Sequence, residues 1–271
     1  MSKGPVHMFD LYDHSTSVCS AKVRVLLAEK AIEFTGHFVD ILAGDQFTPE
    51  YRKINPRAVV PSLIHDGKTV IESTVINEYL DEVVPLPSLK PASAHSRARM
   101  RVWTKGVDER LHDACTVITY VVQHRHKLLE LDREHLEDML QNTSPLYRDR
   151  KRSWILDGFS SPDLHIAIGA FELVLAEMEA ALQESRWLAG DTYSLADVAM
   201  TPYINRLAML AFDDWWRDDR PAVTAWFDEI RKRPSFQTGV MDHIPSTMQN
   251  QMHDRGTAGW PKIQALLNSD S

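Results

Sequence analysis

The first 84 residues limit most strongly what this chain can fold into, because they carry two different strand signals around two helical ones. Val6 to Tyr12 (VHMFDLY) is short and apolar, as a buried strand is. Asp13 to Ser17 is polar and turn-prone. From Val18 to Lys30 the apolar residues Val23, Val25, Leu26 and Leu27 recur at helical spacing, and Phe34 to Val39 reads as a second strand. A strand, helix and strand in that order imply a parallel pair with a right-handed crossover. The pattern then changes. Pro61 to His65 is short and apolar, Asp66-Gly67 is a tight-turn dipeptide, and Thr69-Val70-Ile71 follows, which spells a β-hairpin. Ser73 to Leu80 reads as a helix with Ser73 near its start.

Val84 to Pro91 holds three prolines in eight residues and reads as a linker, since proline lacks a backbone N–H and fixes φ. Beyond it, helical periods dominate: Arg97 to Gln123, Pro162 to Gln183 and Leu195 to Leu210. His124 to Ser161 mixes acidic and basic residues and is expected to form a shorter helix plus loops. The tail beyond Met241 is polar with isolated apolar residues, and no element is assigned to it. The expected organisation is a mixed half over 1–84, a linker over 85–93, a helical domain over 94–240 and a tail over 241–271.

A hydrophobic share of 44% with 25% charged residues is enough for a packed core. The net charge of −8 disfavours binding to a phosphate backbone, so no nucleic-acid partner is expected. The basic run Arg148 to Arg152 is short and reads as a solvated helix face. No apolar run is long enough to span a membrane, and the N-terminus lacks the order of a signal peptide. Two cysteines, Cys19 and Cys115, fit a reducing compartment, and a cytoplasmic location is expected. His124 and His126 fall on different faces of a helix, with no carboxylate at ligand spacing, so no metal is expected. No glycine-rich nucleotide loop is present.

Four stretches can carry chemistry or structure. Pro61 opens a strand; it is either an ordinary edge proline or a cis-proline that presents the N–H and C=O of Val60 to an extended peptide. Ser73 can simply cap its helix, but a helix N-terminus also receives a carboxylate, and Glu72 beside it can hold an ammonium group. In Ser15 to Ser20, a hydroxyl at a helix start can donate to a bound sulfur and favour thiolate, while Cys19 can itself be a helix-terminal thiolate. Without C-x-x-C, dithiol redox chemistry is not expected. Ser194 and Asp197 resemble a capping box, with Tyr193 and Val198 spaced as a hydrophobic staple, which is a folding signal.

In this order, the stretches Asn55 to Pro61, Asp66-Gly67, Glu72 to Leu80 and Ser194 to Asp197 resemble the glutathione S-transferases over nearly the whole chain. The resemblance implies an α/β thioredoxin-like N-terminal domain plus an all-α C-terminal domain, the glutathione S-transferase fold. Ile54 to Arg57 (INPR), His65 to Lys68 (HDGK), Glu72 to Ile76 (ESTVI), Glu78 to Leu80 (EYL) and Arg99 to Glu109 (RMRVWTKGVDE) are similar to the bacterial glutathione-dependent β-aryl etherases of lignin degradation. That likeness implies glutathione as co-substrate, a small aromatic ether as substrate, and a homo- or heteromeric dimer. Val60 would pair with the cysteinyl part of glutathione, with Pro61 cis, and Glu72 and Ser73 would hold the γ-glutamyl group. Gln46 would contact the glycyl carboxylate. Val59 stands where many members carry Lys or Gln, and Arg57 would substitute. The activating residue is Ser17 first and Ser20 second, with Cys19 as competitor. Trp103, Thr104, Val107 and Tyr120 would wall the aryl pocket. The implied reaction is thiolate attack on an α-keto β-aryl ether. The alternatives are a general detoxifying or dehalogenating transferase, and a non-catalytic partner subunit of the same fold.

Overall fold

The computed structural model describes residues 8–143 and 145–269. Strand β1 (Phe9–Asp13) pairs in parallel with β2 (Thr35–Phe38) across helix α1 (Val18–Glu29), as the crossover pattern requires. Of the predicted first strand, Val6 and His7 lie outside the described residues. A short helix α2 (Pro49–Ile54) precedes β3 (Ser62–His65) and β4 (Lys68–Ile71). These two form the antiparallel hairpin, with Asp66 and Gly67 at φ +48° and +77°, so both central turn residues are left-handed. The sheet order is β2-β1-β3-β4, and α3 (Ser73–Val83) closes this half.

Burial explains why α1 has no polar face. It lies between the sheet and the helical half, so Val23, Val25, Leu26 and Leu27 are buried together with Lys22 and Arg24. Each buried cation has a partner. Arg24 pairs with Asp13 and donates to the Gly239 carbonyl, and Lys22 Nζ reaches Asp108 Oδ1 at 3.0 Å and Thr74 Oγ1 at 3.1 Å. Lys30 Nζ lies 2.8 Å from Asp81 and 2.6 Å from the Pro87 carbonyl. Asp81 also accepts from Leu89 N–H, which ties the proline-rich linker to α3.

The helical half begins with one long run. It comprises α4 (Ala94–Gly106), a π-helical stretch Val107–Leu111, α5 (His112–Thr119), a second π-helical stretch Tyr120–His124, and α6 (Arg125–Leu128). Next come α7 (Arg133–Gln141), α8 (Pro145–Leu156), α9 (Pro162–Glu184) and α10 (Leu195–Met209). So the segment from His124 to Ser161, read as one shorter helix plus loops, holds α6, α7 and α8. Then follow α11 (Pro221–Arg231), α12 (Pro234–Gly239) and α13 (Ser246–Ser269), the last formed by the unassigned tail. The Ser194–Asp197 capping box is present. Asp197 is fully buried and accepts from Leu188 N–H, Ser194 N–H and Trp226 Nε1–H at 3.1, 3.0 and 2.9 Å. One large apolar core runs through both halves, from Leu11 and Leu63 to Met252 and Ile263, and a small separate cluster of Leu136, Leu140 and Ile155 holds α7 against α8. Among the described residues no helix is long and apolar enough to cross a membrane.

Candidate active site

A cleft of about 390 Å³ opens between the two halves. The first turn of α1 supplies Ser17. Its Oγ accepts the Ser20 N–H at 3.2 Å and so caps the helix. Among the described residues nothing accepts its hydroxyl hydrogen. Ser17 therefore combines a free donor with the positive end of a helix, where negative charge is stabilised by roughly 0.3–1 kcal/mol.

Val60 faces the same cleft, and the Val60–Pro61 bond is cis. Among the described residues no protein group pairs with the Val60 backbone. The loop before it is anchored through the Val59 carbonyl, which accepts from Tyr51 OH at 2.7 Å and Asn55 Nδ2 at 2.8 Å. Gln46 is buried at the cleft. Its Nε2 donates to the Ile41 carbonyl at 3.2 Å, and its Oε1 has no donor among the described residues.

Glu72 sits at φ +71° and makes no side-chain cap; Ser73 is the first residue of α3 and is buried. Ser73 thus does not cap its own helix. Glu72 instead pairs with Arg57. Both side chains are about half exposed or more, and such a pair is worth about 0–1 kcal/mol, so a ligand's own charges can displace it.

Two of the three sulfur-activating candidates stand elsewhere. Ser20 is fully buried, and its Oγ accepts the His14 N–H at 3.4 Å beneath the helix start, so it does not reach the cleft. Cys19 lies on another side of the same turn, with Sγ 3.4 Å from His112 Nδ1 and 3.6 Å from Tyr203 OH. Burial opposes ionisation of this thiol. The charge and hydrogen bond of His112, the Lys22 ammonium and the Tyr203 hydroxyl outweigh it, and bring the pKa down to about 6. Burial pushes Cys115 up to about 11. Alkylation of Cys19 by iodoacetamide should therefore titrate near pH 6 while Cys115 stays unmodified in the folded protein. His112→Ala should move that midpoint upward by a unit or more. A wild-type midpoint at the ordinary thiol value would reject the pairing.

The aryl wall also differs from expectation. Trp103 turns away to donate to the Leu188 carbonyl at 2.9 Å, Thr104 is buried against Arg101, and Val107 packs toward α9; of the four expected residues only Tyr120 lines the cleft. These residues occupy a different azimuth of the long run, and the cleft takes its later face, His112, Thr116, Thr119 and Tyr120. The facing wall is α8. Arg150 binds Asp113 of α5 at 2.7 Å and Asp163 of α9 at 2.7 Å, which pins α8 and turns Tyr147, Lys151 and Trp154 inward. The basic run is thus an anchored helix with one cleft residue, not a solvated face. The spacing i, i+4, i+7 of those three residues was a readable signal. Arg206 of α10 completes the floor. Among the described residues no cluster of His, Cys, Asp and Glu is placed to hold a metal ion.

An unpaired strand-like backbone at Val60, a helix N-terminus carrying a free hydroxyl, and an aromatic wall of helices meet in this one cleft. The chain belongs to the glutathione S-transferase family: the descriptions of that family's N-terminal and C-terminal domains match residues 16–83 and 144–234. It is an enzyme of that family. It is 34% identical over 234 residues to the protein LigF of Sphingobium sp. (strain NBRC 103272 / SYK-6), covering 84% of this chain and 91% of that one. The crystal structure of the beta-etherase LigF from strain SYK-6 superposes with a TM-score of 0.77 at 32% identity, covering 85% of this chain and 98% of the other. Glutathione S-transferase Z1 of Arabidopsis thaliana is 32% identical over 177 residues, 60% of this chain and 79% of its own.

Proposed function

We propose that the enzyme is a glutathione-dependent β-etherase acting on α-keto β-aryl ethers. The observation that carries this reading is the free Ser17 hydroxyl at the start of α1, in the same cleft as the unpaired Val60 backbone and the rings of Tyr120, Tyr147 and Trp154. The likeness to a beta-etherase supports the substrate class.

The Val60 N–H and C=O pair with the cysteinyl part of glutathione as an added strand would. Ser73 at the start of α3 receives the γ-glutamyl carboxylate, and Glu72 its ammonium. Gln46 and Arg57 face the glycyl end. Ser17 donates to the sulfur and favours the thiolate. The sulfur then attacks the carbon that bears the aryloxy group. A C–S bond forms, the C–O bond breaks, and its electron pair leaves with the phenolate, which takes a proton from solvent. The adjacent ketone makes the attacked carbon more electrophilic, so the hydroxyl has a limited share of the barrier to lower.

Mass spectrometry of glutathione with a keto β-aryl ether should show thioether and phenol in equal amounts. Turnover of a chloro-dinitroaromatic compound but of no ether would mark a general detoxifying transferase instead. Ser17→Ala should lose activity most at neutral pH and regain part of it at alkaline pH, because it removes a donor that holds the thiol pKa down. A loss of equal size at every pH, or a glutathione adduct on Cys19, would overturn this role.

A further inference from the structure

The helical side of the cleft carries positive charge that has no carboxylate partner among the described residues. Among the described residues that line the cleft none is acidic. Arg206 is buried, with only 6% of its surface exposed, and it has no carboxylate partner among the described residues. It donates to Thr119 Oγ1 at 3.1 Å and to the Thr16 carbonyl, and its Nε has no acceptor among the described residues. A guanidinium has five N–H donors and stays charged, and buried charges are normally paired. The two contacts explain how Arg206 links α10 to the loop before α1 and to α5. They leave its charge uncompensated.

Lys151 repeats the observation on the opposite wall. On the same helix, Arg150 and Arg152 are each paired with two carboxylates. Lys151 has no ion pair among the described residues, and its ammonium stands 4.8 Å from the centre of the Tyr120 ring, facing the cleft. His124, also in the cleft, registers the resulting field: burial, then Arg206 and Lys151, push its pKa down to about 3, so it is neutral and adds no countercharge.

From this arrangement we infer that the aromatic electrophile taken by the cleft carries a carboxylate, seated between Arg206 and Lys151 with its ring beside Tyr120 and Trp154. A planar guanidinium matches a carboxylate by two parallel hydrogen bonds, and the ammonium adds a second charge from the facing wall. The inference rests on the reading of this cleft as the electrophile's site, but it does not require that an ether be cleaved.

The test is a binding measurement without turnover. The full chain is saturated with S-methylglutathione, which fills the peptide site and cannot react, and is titrated by calorimetry with 4-phenoxybenzoate and with 4-phenoxybenzamide. The acid should bind at least ten-fold more tightly than the amide, and raising the salt concentration should narrow the gap. Lys151→Met should cut the preference several-fold while leaving the affinity for the amide unchanged, and Arg206→Gln should remove most of the remainder. Lys151 is half-buried at the cleft edge, so its variant decides the matter even where Arg206→Gln does not fold. Equal affinity for acid and amide in the wild-type protein would overturn the inference, as would a preference that survives Lys151→Met undiminished. Cleavage of neutral ethers with no preference for the acid would sink it while leaving the etherase reading intact. Preference for the acid with no ether cleaved would do the reverse.

Discussion

Asp197→Ala should destabilise the protein by about 4 kcal/mol or more, with a matching drop in the denaturant midpoint. The carboxylate is buried and holds three donors, Leu188 N–H, Ser194 N–H and Trp226 Nε1–H. Truncation strands all three, and each unsatisfied buried donor costs about 1–3 kcal/mol. It also removes half of the capping box at the start of α10. Acidity gives a second readout. Burial raises the Asp197 pKa to about 6, against the opposing pull of Trp226, Leu188 and Ser194. The folded chain thus keeps this proton up to about pH 6, whereas the unfolded chain releases it near the ordinary carboxyl value. Stability from this group is gained as the pH falls through that window and lost as it rises. Asp197→Asn, which cannot titrate, should lack that slope. Asp197 does not line the cleft, so glutathione affinity of the folded variant should hardly change. A midpoint shift below about 0.5 kcal/mol, the range of ordinary surface changes, would show that the three bonds are not made.

The second large effect is expected at Gly256. A Cβ built there would stand 1.8 Å from the Leu210 carbonyl oxygen and 2.4 Å from its carbon. Both partners are backbone, so no rotamer change relieves the clash, and α13 has to lift from the end of α10. Overpacking with side chains costs about 1–3 kcal/mol, and a backbone clash should reach the upper end or pass it. Helix α13 buries Met252 and Ile263, and Arg255 Nη1 donates to the Gln123 carbonyl at 2.9 Å. It therefore backs the Tyr120–His124 stretch that lines the cleft. Gly256→Ala should lower the thermal midpoint, expose α13 to limited proteolysis and reduce turnover. Gly169 in α9 is the matched control: no atom lies within 4 Å of its built Cβ, and Gly169→Ala should be neutral or stabilising by up to about 1 kcal/mol. Equal behaviour of the two variants would mean that α13 does not pack as described.

The contrast between the hairpin and the tail shows what the chain's text conveys. Asp66-Gly67 between two short apolar runs names a turn type outright, and Ser194 with Asp197 names a helix start; both signals are local. The tail is different. Met248, Met252, Gly256, Trp260 and Ile263 do recur at helical spacing, but the contact position in the middle is a glycine and Pro261 follows, and both read as breakers. The glycine is there because α10 comes too close for any side chain, which is a tertiary fact. The aryl wall failed for a related reason. Periodicity gives the spacing along the Arg97–Gln123 run but not which azimuth meets the cleft, and the π-helical stretch Val107–Leu111 rotates the face between Trp103 and Tyr120. The Cys19–His112 contact joins positions 93 apart, and nothing local encodes it. That Ser17 and Val60 line the cleft could be anticipated because a helix start and a strand-opening proline leave marks in the residues around them.

The position of α1 governs how such a chain can be recombined. Its cations and termini are satisfied from the far side of the linker: Lys22 by Asp108, Arg24 by the Gly239 carbonyl, and Glu29 by Arg233 at 2.7 Å. Gly239 itself is admitted only because a Cβ there would fall 2.7 Å from Val25 N. Cutting at the proline-rich linker and grafting another helical half would strand the buried Lys22 ammonium, take the Gly239 carbonyl from Arg24 while leaving its pair with Asp13, and press a foreign side chain into α1. The two halves look like modules in the text of the chain, but their exchange has to carry Asp108, Arg233 and Gly239 along with it.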